Sequence, residues 1–199
     1  MTYINTQPTI GIVQLDTVYT AGGLGYPWAS PSGDLPAFTP EQQFGQITWA
    51  QDNSSSTAGG GGAFIFLKIP TSTTVTAGLL YYWKGDYTVV VTPAAVSSQA
   101  VSGTPVAVAI NAVSSNASSI QATWFQVQGR CSVLKSSGTS NVQPNVPLYV
   151  SSVTAGRVRT TASIYRTIIG LRGANTATVV STTSSILAYL NFPSIGPGI

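Results

Sequence analysis

"TWFQVQGRCSV", residues 123–133, is the stretch on which the reading of the chain turns. It holds the only cysteine of the 199 residues, with an arginine before it and a serine after it. A thiol beside a cation is a candidate nucleophile, because nearby positive charge stabilises the thiolate. Read as a strand, the stretch says something else. Alternation puts Phe125, Val127 and Cys131 on one face and Trp124, Gln126, Gln128 and Arg130 on the other. Cys131 is then a small buried hydrophobe pointing away from Arg130. Gly129 is a candidate bulge that would flip the phase beyond it. The chain has no histidine, so no Cys–His pair can form. The stretch is expected to be β-wall, not active site. Trp124, on the polar face, is expected under a loop or at a subunit contact.

Composition narrows the chemistry further. Without histidine the chain lacks the usual neutral-pH base and the commonest metal ligand. Its five acids, Asp16, Asp34, Glu41, Asp52 and Asp86, are scattered, with no metal-ligand spacing. Asp52 and Asp86 are the only imaginable glycosidase pair. Abundant Ser, Thr, Gly and Val point to short strands and many turns. No apolar run is long enough for a membrane helix, and no basic-then-apolar leader opens the sequence. "GGGGAF" lacks the Gly-Lys-Ser/Thr of a phosphate loop. Asn53-Ser54-Ser55 and Asn116-Ala117-Ser118 match the glycosylation sequon, which matters only in a secreted eukaryotic protein.

Charge is unevenly placed. Residues 1–67 carry four acids and no base, and residues 68–199 carry eight bases and one acid, so −4 and +7 make the net +3. Arg157, Arg159, Arg166 and Arg172 fall close together. Such a cluster either docks onto an acidic surface or serves as a solvated face. Nucleic acid would call for more cations interleaved with aromatics, so no direct nucleic-acid role is expected.

Organisation follows the same divide. Residues 1–62 contain Pro8, Pro27, Pro31, Pro36 and Pro40 and end in "DNSSSTAGGGG". They are read as an extended arm with a linker, anchored by spaced aromatics including Tyr26, Trp28 and Phe38. "TPEQQ" offers one helical turn and "GQITWA" a short strand. Residues 63–199 are read as the β domain. "AFIFLK" is apolar on both faces, as a central strand requires. "LLYYWKGDYTVVVT" reads as a hairpin turning at Lys84-Gly85-Asp86. "PVAVAINA" alternates, with Val106, Val108 and Ile110 on one face. Val-Thr-Ala-Gly occurs at 75–78 and again at 153–156, each time before a strand. The fold class is therefore all-β: a compact β-barrel, a β-tulip-like domain or a sandwich, preceded by a Pro/Gly-rich arm.

The order "GGGGAFIFLK", "GTPVAVAINA", "ATWFQVQGRCSV", "NVPLYVSSVTAGRV", "IIGL" resembles the head decoration, or cement, proteins of tailed bacteriophages over about residues 45–192. The resemblance lies in the order of the motifs. It implies a structural protein without catalytic residues, metal or cofactor. It implies attachment to the major capsid protein on the outer surface of the phage head, after synthesis in the host cytoplasm. It also implies self-association, for which we expect a trimer in preference to a dimer. Tyr26, Trp28, Phe38, Trp124, Arg157 and Arg159 are the candidate inter-subunit contacts. A tail-associated or receptor-binding β protein is the alternative, and a glycan-active enzyme a more distant one.

Overall fold

In the computed structural model, the residues described are 3–5, 15, 18–20, 44–52, 61–94, 102–118, 120–137, 141–162, 167–176, 178–179 and 184–196. The fold is all-β, and the described residues contain no helix. Thirteen strands are formed by the described residues, in chain order: β1 (Tyr3–Asn5), β2 (Tyr19–Thr20), β3 (Ile47–Asp52), β4 (Gly61–Ile69), β5 (Leu80–Trp83), β6 (Val89–Val91), β7 (Val106–Ala109), β8 (Gln121–Gln126), β9 (Gln128–Leu134), β10 (Pro147–Val150), β11 (Val158–Arg159), β12 (Thr167–Gly173) and β13 (Ser185–Ile195). They form two antiparallel sheets. The larger has the order β1-β3-β4-β8-β7-β5-β6, with β2 also paired to β8. The smaller has the order β11-β10-β12-β13-β9.

The larger sheet is curled into a half-barrel. Its strands β4 and β8 are rich in aromatic and β-branched residues and are covered on both faces. Ala63, Ile65, Leu67, Phe125, Ala107 and Tyr81 fill the interior of the curl. Lys68 on β4 bridges to Thr88 beside β6, which brings the two ends of the curl together. The opposite face of β5 and β7 supplies Leu80, Val106 and Val108 to a second core, shared with Cys131, Val133, Leu148, Val150, Leu171 and Ile186 of the smaller sheet. Strand β7 is thus buried on both sides, valines toward one core and alanines toward the other. The hairpin expected at Lys84-Gly85-Asp86 is present, with the Tyr87 amide donating to the Lys84 carbonyl at 2.9 Å.

Strands β8 and β9 are one run of chain that leaves the first sheet and enters the second. The hinge is Val127 to Gly129. Gly129 has φ +98°, a conformation that side-chain-bearing residues rarely adopt. It does more than bulge. Beyond it Cys131 joins Val133 and Ala188 in the shared core, while Phe125 and Val127 stay in the half-barrel. Cys131 is buried as expected, but it does not share a face with Phe125 and Val127. The change of sheet separates them.

The boundary expected at residue 62 is corrected. Ile47–Asp52 pairs with Gly61–Ile69, Ile47 opposite Ile65 and Trp49 opposite Ala63. Gly61 and Gly62 are therefore strand residues and not linker. Leu15 is buried with Ala50, Phe64, Phe66, Ala122 and Trp124, against which Phe44 also packs. The Asn111 amide donates both to the Leu15 carbonyl (2.8 Å) and to Thr123 Oγ1 (2.9 Å), tying this early segment to β8. The reason is burial: the back of β4 and β8 is too apolar to leave in water. The helical turn read in residues 39–43 lies outside the described residues.

The repeated tetrapeptide has a structural meaning. Both copies are the same turn. Leu79 N–H donates to the Thr76 carbonyl (3.2 Å) and Arg157 N–H to that of Thr154 (3.4 Å), around Gly78 (φ +82°) and Gly156 (φ +71°). Glycine at the third position with positive φ is the type II arrangement. Each turn stitches the sheets together. The Gly78 carbonyl accepts from Leu134 N–H of β9 (2.8 Å), and the Gly156 carbonyl accepts from Leu80 N–H of β5 (2.8 Å).

Candidate interaction surface

The last acid in the sequence is Asp86, so every charged side chain of the smaller sheet is a cation. Cross-strand register arranges two of them in a row. Arg130 on β9 lies opposite Tyr189 on β13, and Tyr189 lies opposite Arg172 on β12. Directly paired residues project from the same face, and the neighbours Cys131, Leu171, Ala188 and Leu190 point into the core, so the row faces outward. Tyr189 is 54% exposed, as is Ile169 on β12, and Phe192 at the bulge of β13 is 50% exposed. Arg172 donates to the Asn145 carbonyl at 3.3 Å. The buried Nε of Arg130 has no acceptor.

Arg157 and Arg159 lie at the other margin of this sheet, and both have partners in their own chain. Arg157 Nη1 donates to the Lys135 carbonyl at 2.9 Å, and Arg159 Nη1 donates to Ser152 Oγ. Lys135 bridges to Val158, and Ser136 N–H donates to the Val158 carbonyl at 2.9 Å. The last residues of β9 therefore meet β11, and the five-stranded sheet closes on itself at that point. Arg157 sits on the seam. Both arginines are half-buried, and a guanidinium carries five N–H donors.

Trp124 is a correction. It is fully buried, 5.1 Å centroid to centroid from Phe66, which in turn stacks on Phe44 at 5.8 Å. It packs inside its own subunit and cannot be an inter-subunit contact. Its polar neighbours misled the reading: Gln121, Thr123 and Gln126 are buried as well. Tyr26, Trp28 and Phe38 lie outside the described residues.

The groups that carry chemistry elsewhere are held down. Burial pushes the Cys131 thiol well above its ordinary range. Asp86 accepts from the Thr88 hydroxyl (2.7 Å) and from Lys68 Nζ (3.0 Å), and these bonds hold its carboxyl well below the usual carboxylate range. Lys135 is buried, and desolvation lowers its pKa. Among the described residues no three His, Cys, Asp or Glu side chains gather as a metal site, and no helix is long and apolar enough to cross a membrane. Sequence reasoning grouped Arg172 with Arg157 and Arg159 by nearness in the chain and missed the row it forms with Arg130 and Tyr189. They are far apart in sequence, and only the register of β9, β13 and β12 brings them together.

No family model, curated protein or solved structure matches this chain.

Proposed function

We propose that this chain is a structural virion protein, a decoration protein that binds the major capsid protein on the outside of a phage head and reinforces the shell. The observation that carries this reading is where the chain keeps its reactive and its adhesive side chains. Cys131 is inside, and Asp86 is tied to Thr88 and Lys68. Arg130, Arg172 and Tyr189 form a row on an open sheet face with exposed Ile169 and Phe192 on the same strands. Arginine and tyrosine beside exposed apolar side chains make the composition of a binding surface. The order of sequence motifs narrows the partner to a capsid lattice, with the chain acting as a homo-oligomer without a cofactor.

The test is cosedimentation of the purified chain with heads of the parent phage that lack it. Saturable binding at a fixed number of copies per head, with a higher temperature of head rupture, is the expected result. Absence of binding to mature heads, or binding only to tails, would overturn the reading.

A further inference from the structure

We propose that the Arg130–Tyr189–Arg172 row is a docking surface for a carboxylate-bearing segment of another protein. The inference rests on reading this face as adhesive but not on the partner being a phage shell. Three observations lead to it. First, the row is cationic, and among the described residues no carboxylate forms an ion pair with Arg130 or Arg172: residues 87–199 contain six bases and no acid, and Asp86 pairs with Lys68. Second, its spacing suits an extended acidic chain. Neighbouring strands are about 4.8 Å apart, so the two arginines stand about 10 Å apart across the tyrosine. Residues i and i+2 of an extended peptide point to one side about 7 Å apart, and flexible arginine side chains span the difference. Third, the guanidiniums retain donors in a fork that matches a carboxylate, and Tyr189 places a half-exposed ring and a hydroxyl between them.

The other occupants fit less well. A second copy would bring a net charge of +3 toward a cationic face. Of the acids on the larger sheet, Asp86 is already held by Lys68 and Thr88. A single nucleic-acid strand calls for a track of cations and several stacking rings, whereas this row has one ring between two cations.

The experiment is a titration of the isotopically labelled full chain, followed by amide NMR. The probes are an octaglutamate peptide and a single-stranded oligothymidylate of equal charge. The prediction is that the peptide perturbs amides around Arg130, Arg172 and Tyr189, and that Arg130→Gln with Arg172→Gln weakens it at least tenfold, about 1.4 kcal/mol. Lys84→Gln, an exposed cation of the other sheet, should leave affinity unchanged. Arg130→Lys with Arg172→Lys keeps the charge but loses the fork, and should fall between. An unchanged amide spectrum away from the row would show the variants folded; if the glutamine pair does not fold, the lysine pair decides. Equal peptide affinity in wild type and variant, tighter oligothymidylate binding through the same residues, or self-association abolished by the same substitutions would each overturn the proposal. Octaglutamate failing while phage heads bind would sink this inference alone, and the reverse outcome would sink the shell reading alone.

Discussion

Gly62 and Gly129 meet backbone to backbone where the chain changes sheets. A β-carbon on Gly129 would stand 2.9 Å from the Gly62 α-carbon and would drive into the Gly61 carbonyl oxygen. A β-carbon on Gly62 would meet the Gln128 carbonyl oxygen and lie 2.8 Å from Gln126 Nε2. Two glycines 67 positions apart are therefore required by one crossing.

Gly129→Ala adds this clash to a φ of +98°. It should cost about 3 kcal/mol or more, read as a lower urea midpoint. Gly62→Ala should be destabilising through the clash alone. Gly85→Ala, with no atom within 4 Å of the added carbon, should stay within about 0.5 kcal/mol of wild type. Equal effects at the three positions would refute the crossing geometry.

Cys131 gives a pH signature. Burial raises its folded pKa, so the folded state keeps the thiol proton when the unfolded chain has lost it. The stability this group contributes is full below the unfolded value of about 8.5 and is lost as pH rises above it. The lowered pKa of Lys135 acts in the opposite sense, so the comparison must be with a variant. Wild type should lose about 1.4 kcal/mol per pH unit relative to Cys131→Val between about pH 9 and 10. Parallel curves would mean an accessible thiol.

Arg157 is expected to act in stability first. Arg157→Gln removes the donor to the Lys135 carbonyl at the seam. A loss of about 1 to 2 kcal/mol, with faster hydrogen exchange at the Ser136 amide, is the expected outcome. If the substitution leaves stability and exchange alone but weakens particle binding, the side chain serves the partner instead.

Removal of residues 1–60 takes away β3 and Leu15, and with them the cover over Phe64, Phe66 and Trp124. The truncated chain should be insoluble or should bind a hydrophobic dye. A soluble, cooperatively melting product would show that these residues are dispensable.

Most strands were legible because their signals are local. The double-faced apolar pattern of "AFIFLK" and the Lys84-Gly85-Asp86 turn need no knowledge of the rest of the chain. Burial of Cys131 was also legible, although the partners assigned to it were wrong. The failures share a cause. Trp124 was placed by the polarity of its neighbours, yet Leu15 and Phe44, from a stretch that reads as loop, contribute to the cluster behind β8 and bury the polar residues with it. Gly129 looked like a bulge because one strand cannot reveal that two sheets claim it. The basic row was invisible because register, set by tertiary pairing, joins residues 130, 172 and 189.

Closure of the smaller sheet at Lys135 and Val158 has a consequence for crowding. A strand whose N–H and C=O groups are unpaired is a template on which another chain can polymerise. In the five-stranded sheet the end of β9 is capped by Val158 and Gly78, so little of this margin is left to recruit a foreign strand. Among the described residues the larger sheet ends at β1 and β6, and the three-residue β6 already has its start bridged to β4 through Thr88 and Lys68. Strand addition to the described sheets is therefore confined to short margins, which disfavours amyloid-like stacking.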